Sequence, residues 1–154
     1  MTRYELFKLL HVVGAIAWLG SGIGLLVLHR QFVRAADHAG IAAILRQSKA
    51  LGSRLFMPAA LVTVVFGVAL VATEPVFRFG DLWILIGFGG IVASGVAQMA
   101  VAEPASKRFM ALLTEHGADH PELPAVARRM SLGNSLDVAV LIVVVWAMVA
   151  RPVL

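Results

Sequence analysis

Apolar residues run along this chain in four long blocks separated by polar, turn-rich stretches. The first block, Leu6 to Leu28, reads LFKLLHVVGAIAWLGSGIGLLVL, in which only Lys8 and His11 readily carry charge. As a helix of about 23 residues rising roughly 1.5 Å each, it crosses a ~30 Å hydrocarbon core with length to spare. The second block runs from about Phe56 to Thr73 with Pro58 in its first turn, where a missing N–H does little harm. The third runs from about Leu82 to Val101, closed by Glu103-Pro104, and the fourth from about Leu136 to Ala150, closed by Arg151-Pro152. Asp137 then falls within the first turn or two of the last span. The pattern predicts an all-α, polytopic membrane protein: a single domain over residues 1–154, built as a bundle of four transmembrane helices.

The two longer connections carry helical signals of their own. Asp37 can cap a helix that places Ile41, Ile44, Leu45 and Leu51 on one face and Arg46 and Lys49 among its polar positions. Pro104 opens another, with Phe109, Met110, Leu112 and Leu113 apolar and Gly117 as its stop. Both are expected as continuations of the spans or as helices lying along anionic headgroups, rather than as a dedicated binding site. Residues 119–124, DHPELP, read as a turn-rich linker. His116 and His120 lie four apart, but Gly117 and Pro121 interrupt the helix that would align them on a metal.

Composition supports the membrane class: 60% of the residues are hydrophobic and the mean hydropathy is +0.88, beyond an ordinary water-soluble domain. The net charge of +4 does not imply nucleic acid, because the basic residues flank the apolar blocks, where they set topology. Arg30, Arg34, Arg46, Lys49, Arg54, Lys107, Arg108, Arg128 and Arg129 lie in the two longer connections, against Arg3, Lys8, Arg78 and Arg151 on the other side. Nine against four puts both connections in the cytoplasm and both termini outside a bacterial inner membrane. Tyr4, Trp83 and Trp146 then fall near the outer interface, as an aromatic belt requires. The N-terminal apolar run exceeds the ~7–15 residues of a signal-peptide core and is read as a retained first helix. With no cysteine, disulfides, zinc-thiolate sites, iron–sulfur clusters and thiolate-ligated haem are excluded.

Spans one and three are glycine-rich, and spans two and four end in VATEPV and VARPVL, which suggests two helical hairpins of the same orientation. Gly20 and Gly24 form a GxxxG, and Gly87, Gly90, Ser94 and Ala97 a small-residue ridge; these two faces are expected to pack together.

Chemistry is concentrated in few residues. His11 lies roughly 7 Å below the outer end of its helix, at a level similar to Met148, with Gly14 and Trp18 on its stripe. His29, some 27 Å further along, cannot share a small site with His11 and reads as interfacial. Asp137 and Gln98 reach comparable depths; with Gln98, Asn134 or Arg54 the carboxylate forms either a structural clasp or a proton- or ion-handling group. His11 has three readings: a hydrogen bond to a neighbouring helix, ligation of haem iron, or ligation of copper, with methionine a second ligand for either metal.

The segment LLHVVGAIAWLG, with His11, Gly14 and Trp18, together with Pro58 and the closing MVARPVL at Met148–Leu154, resembles an uncharacterised bacterial integral-membrane family of unknown function. That family is similar to the copper-resistance D membrane proteins and to the haem-binding bacterial protoporphyrinogen oxidase. The resemblance implies metal or haem handling at the first-helix histidine, and only His11 carries over. The expected function is therefore binding of haem b or copper through His11, with Met148, Trp18 and Gly14 around it, in a redox or metal-handling role. The alternatives are a non-catalytic accessory or assembly subunit, as a homo-oligomer or in a larger membrane complex, and a small transporter using Asp137.

Overall fold

The computed structural model describes residues 1–152 and, at Lys49, the backbone alone; Val153 and Leu154 of the closing motif lie outside the described residues. Six α-helices form: α1 (Arg3–Arg34), α2 (His38–Leu51), α3 (Met57–Thr73), α4 (Leu82–Ala97), α5 (Glu103–His116) and α6 (Leu123–Ala150). Thr2 starts α1 with a capping box: its hydroxyl accepts from the Glu5 N–H at 3.2 Å, and the Glu5 carboxylate accepts from the Thr2 N–H at 2.7 Å. Asp37 caps α2 through the Gly40 N–H at 2.8 Å. Arg151 ends α6 in the left-handed region (φ 46°) before Pro152.

Helices α2 and α3 are joined by a π-helical turn at Gly52–Phe56, and α4 and α5 by another at Gln98–Ala102. Each turn is followed by a proline, Pro58 and Pro104. A proline inside a helix lacks its N–H and its ring collides with the carbonyl four residues earlier, here Arg54 and Ala100, both within the π turns. Widening the helix by one residue relieves that collision without breaking the rod. The connection helices are therefore continuations of spans two and three.

Four helices are long and apolar enough to cross a membrane: Arg3–Arg34, Gly52–Thr73, Leu82–His116 and Leu123–Ala150. The first is longer than its apolar block, and the last begins well before Leu136. Pro124 is accepted in the first turn of α6, and Gly133-Asn134-Ser135 does not interrupt it. Asp137 consequently sits about four turns into α6, not at its start.

Helix α1 packs against α3 and α6, and α6 against α4, giving the spatial order α3–α1–α6–α4. The expected meeting of the glycine faces of spans one and three does not occur. Side chains built at Gly20 and Gly24 would touch nothing, whereas Gly87 and Gly90 of α4 face Met148 and Val144 of α6. The two helical hairpins differ from each other in detail. The π turn precedes the span in the first hairpin and follows it in the second, so α1 corresponds in form to α6 rather than to α4.

The best-buried part of the molecule lies beyond the apolar blocks, on the face away from the termini. There Ile41 of α2, Phe109 and Leu112 of α5, and Leu123, Ala127 and Met130 of α6 form a core, with Phe32 and Val33 of α1 against it. Within the apolar windows of the spans only 6–22% of residues are buried, so most of their surface is left to the lipid bilayer. His29, expected at the interface, is buried against α6, with its Nε2 3.4 Å from the Ala127 carbonyl oxygen.

Candidate functional site

His11 faces α3. Its Nδ1 lies 2.7 Å from the backbone carbonyl oxygen of Thr63. A carbonyl only accepts, so Nδ1 carries the proton and, in the neutral ring, Nε2 carries the lone pair. Thr63 donates its own hydroxyl to the Ala59 carbonyl at 2.8 Å, which holds its side chain along α3. Gly67, one turn further, makes room for the imidazole: a Cβ there would stand 2.9 Å from His11 Cε1 and Nδ1. One turn toward the termini, Phe7 of α1 and Phe66 of α3 bring their rings together with centroids 5.6 Å apart. The ring is half-buried.

Gly14 belongs to the same interface and is buried, but its missing side chain accommodates Thr63 rather than a ligand; a Cβ would lie 2.6 Å from Thr63 Oγ1 and 3.0 Å from the Ala59 carbonyl oxygen. Trp18 is half-buried one turn beyond, its carbonyl receiving the Ser21 hydroxyl at 3.1 Å. Met148 sits elsewhere, with its Cε over Gly87 in the α4–α6 interface. Thr63 and Gly67, which hold His11, escaped sequence reasoning. Their signal was a polar residue and a glycine four apart in an otherwise apolar span.

A second polar group lies between α4 and α6. The Asp137 carboxylate is 9% exposed and accepts the Ser94 hydroxyl on one oxygen and the Gln98 amide N–H on the other, the latter at 2.9 Å. Both donors are neutral and both come from α4 and the start of its π turn. Close by, Gly133 lets α6 approach the Ala102 backbone, where a Cβ would meet the amide nitrogen at 2.8 Å. Neither Asn134 nor Arg54 takes part in these bonds.

On the far connection His116 and His120 do meet, their ring centroids 4.9 Å apart despite Gly117 and Pro121. His120 Nδ1 accepts the Glu122 N–H at 3.3 Å. Arg108 pairs with Glu122 at 3.0 Å and holds that carboxyl below its usual range. Among the described residues no cluster of three or more His, Cys, Asp or Glu side chains could hold a metal ion.

No curated protein and no solved structure matches the chain. Residues 5–152 match a family model described as "Predicted integral membrane protein (DUF2269)". With four spanning helices and a match over nearly its whole length, the chain belongs to this family of predicted integral membrane proteins.

Proposed function

We propose that this membrane protein binds haem b on His11, in a redox or metal-handling role in a bacterial inner membrane. The observation that carries the reading is the His11–Thr63 hydrogen bond. Histidine ligands of metals commonly donate their second ring nitrogen to a carbonyl or carboxylate, which fixes tautomer and orientation and strengthens the ligand. Haem is favoured over copper because the porphyrin supplies four nitrogens and asks the protein for one or two ligands. Copper needs a larger protein donor set, and Met148 is seated on a different helix pair. Haem, when bound, supplies one-electron chemistry. The chain's part is to present Nε2, with the Thr63 carbonyl holding the proton on Nδ1 and Gly67 setting how closely the ring approaches α3.

The nine basic residues on the side of α2 and α5 support a cytoplasmic placement of that face, with both termini outside. Asp137 is already committed to two neutral donors, which supports a clasp rather than a transport carboxylate. A second reading, an accessory subunit or homo-oligomer, is favoured by the open GxxxG face at Gly20 and Gly24.

An absorption spectrum of the protein purified in mild detergent tests the haem reading. A Soret band is expected, lost in His11→Ala with helicity unchanged and retained in Met148→Leu. Protein that carries no haem after growth with ample haem supply, or a Soret band that persists in His11→Ala, overturns it; co-purifying partners would then identify the subunit reading.

A further inference from the structure

At the face carrying the termini, the α3–α4 loop and the end of α6 border a half-open cavity of about 460 Å³, lined by residues of both characters. Phe77 and Trp83 stand edge-to-face with centroids 5.4 Å apart. The Arg151 guanidinium carbon rests 5.2 Å from the first ring and 5.4 Å from the second. Two ring faces within about 6 Å of a guanidinium hold it electrostatically and leave its N–H edge available. Arg151 keeps this place although its backbone is left-handed (φ 46°), a conformation that costs an ordinary residue energy.

Asp81 lines the same cavity. It precedes α4 without capping it, and its Oδ2 instead accepts the Arg78 N–H at 3.0 Å. The two charged groups share the cavity without forming an ion pair with each other. Among the described residues neither charge has an opposite charge within ion-pair distance, and such a cavity suits a ligand that carries both signs and an apolar portion for the aromatic wall.

We propose that this cavity binds a phosphoethanolamine group, with the phosphate on Arg151 and the primary ammonium on Asp81. The chemistry is shared by a phosphatidylethanolamine headgroup and by the free solute. Arg151 and Trp83 lie at the ends of α6 and α4, where headgroups meet a spanning helix. The primary ammonium matters because a quaternary one has no N–H to donate to Asp81.

The test uses the full chain in phosphatidylcholine nanodiscs, titrated with dihexanoyl-phosphatidylethanolamine, its choline and glycerol counterparts, and free phosphoethanolamine, read by tryptophan fluorescence and thermal shift. Saturable binding of the ethanolamine lipid at tenfold or more higher affinity than the other two lipids is expected. Asp81→Asn, which retains the acceptor for the Arg78 N–H, and Arg151→Gly, which suits the left-handed backbone and so preserves the helix end, are each expected to weaken it at least tenfold. Equal binding of phosphoethanolamine points to an aqueous solute and binding of the lipid alone to the bilayer; both support the site. Equal affinity for all three lipids, no saturable binding, or either variant within twofold of the wild type overturns it.

Discussion

A methyl group added at Gly14 would press on Thr63 and on the α3 backbone, and one at Gly133 on the backbone of the π turn at Ala102. Backbone cannot swing aside, so Gly14→Ala and Gly133→Ala are each expected to cost about 1–3 kcal/mol, seen as a lower melting temperature in detergent. At Gly87 the obstacle is the end of Met148, a flexible side chain, and Gly87→Ala is expected to cost less than either. Gly20→Ala and Gly24→Ala should not destabilise the isolated chain, since nothing stands near them and alanine is the better helix former. Equal gains at all of these positions would mean that the helix preference of alanine over glycine, not contact, governs them. The same contrast explains what single residues disclose in a sequence. Small-residue spacing marks a helix face that permits close approach, and Gly20-Gly24 and Gly87-Gly90 looked alike. Which glycine meets a partner depends on the order of helices, which spacing does not contain. His11 was conspicuous as an ionisable group among apolar ones, whereas the group it bonds is a backbone carbonyl, whose sole trace in the sequence is the spacing of Thr63 and Gly67 in an apolar span.

At the scale of elements, the four apolar blocks appear as spans because each is long enough to bury its backbone hydrogen bonds in lipid, and length is legible directly. Their ends were harder. Pro58 and Pro104 resemble helix starts, yet each sits just after a π turn in a continuous rod, since a local widening accommodates the ring. The Asp137 clasp shows what ties two such rods together. Asp137→Ala would leave Ser94 and Gln98 without their acceptor at membrane depth, and a loss of about 1–2 kcal/mol is expected. Asp137→Asn can accept one of these bonds and donate to the other side-chain oxygen, so its melting temperature should stay near the wild type. An Asn variant as damaged as the Ala variant would show that the charge itself is needed, and would favour ion handling over the clasp.

The whole molecule divides its stability unequally between the bilayer and the water beyond it. In the spans lipid covers most of the surface, and contact gains little where tails are as apolar as leucine. Past the π turns the helices pack Phe109, Ile41 and Leu123 together, and in a segment outside the bilayer that burial is favourable in the ordinary hydrophobic sense. Phe109, fully buried, is therefore expected to lose about 3–5 kcal/mol on replacement by alanine, more than any single contact within the spans. This core also bears on orientation. The face that holds it carries nine of the thirteen basic residues, and polypeptide with that bias is retained on the cytoplasmic side. Reporters inserted at the turn after Arg34 and at residues 117–121 should both register cytoplasm, and one inserted in the α3–α4 loop near Gly80 the outside. On the proposed haem reading, His11, near the Gly80 face, would then be reached from the periplasmic side. If all three reporters reverse, the basic-residue bias has been overridden and His11 opens toward the cytoplasm; the Soret test on His11 would keep its meaning, but the supply of haem and electrons would come from the other compartment.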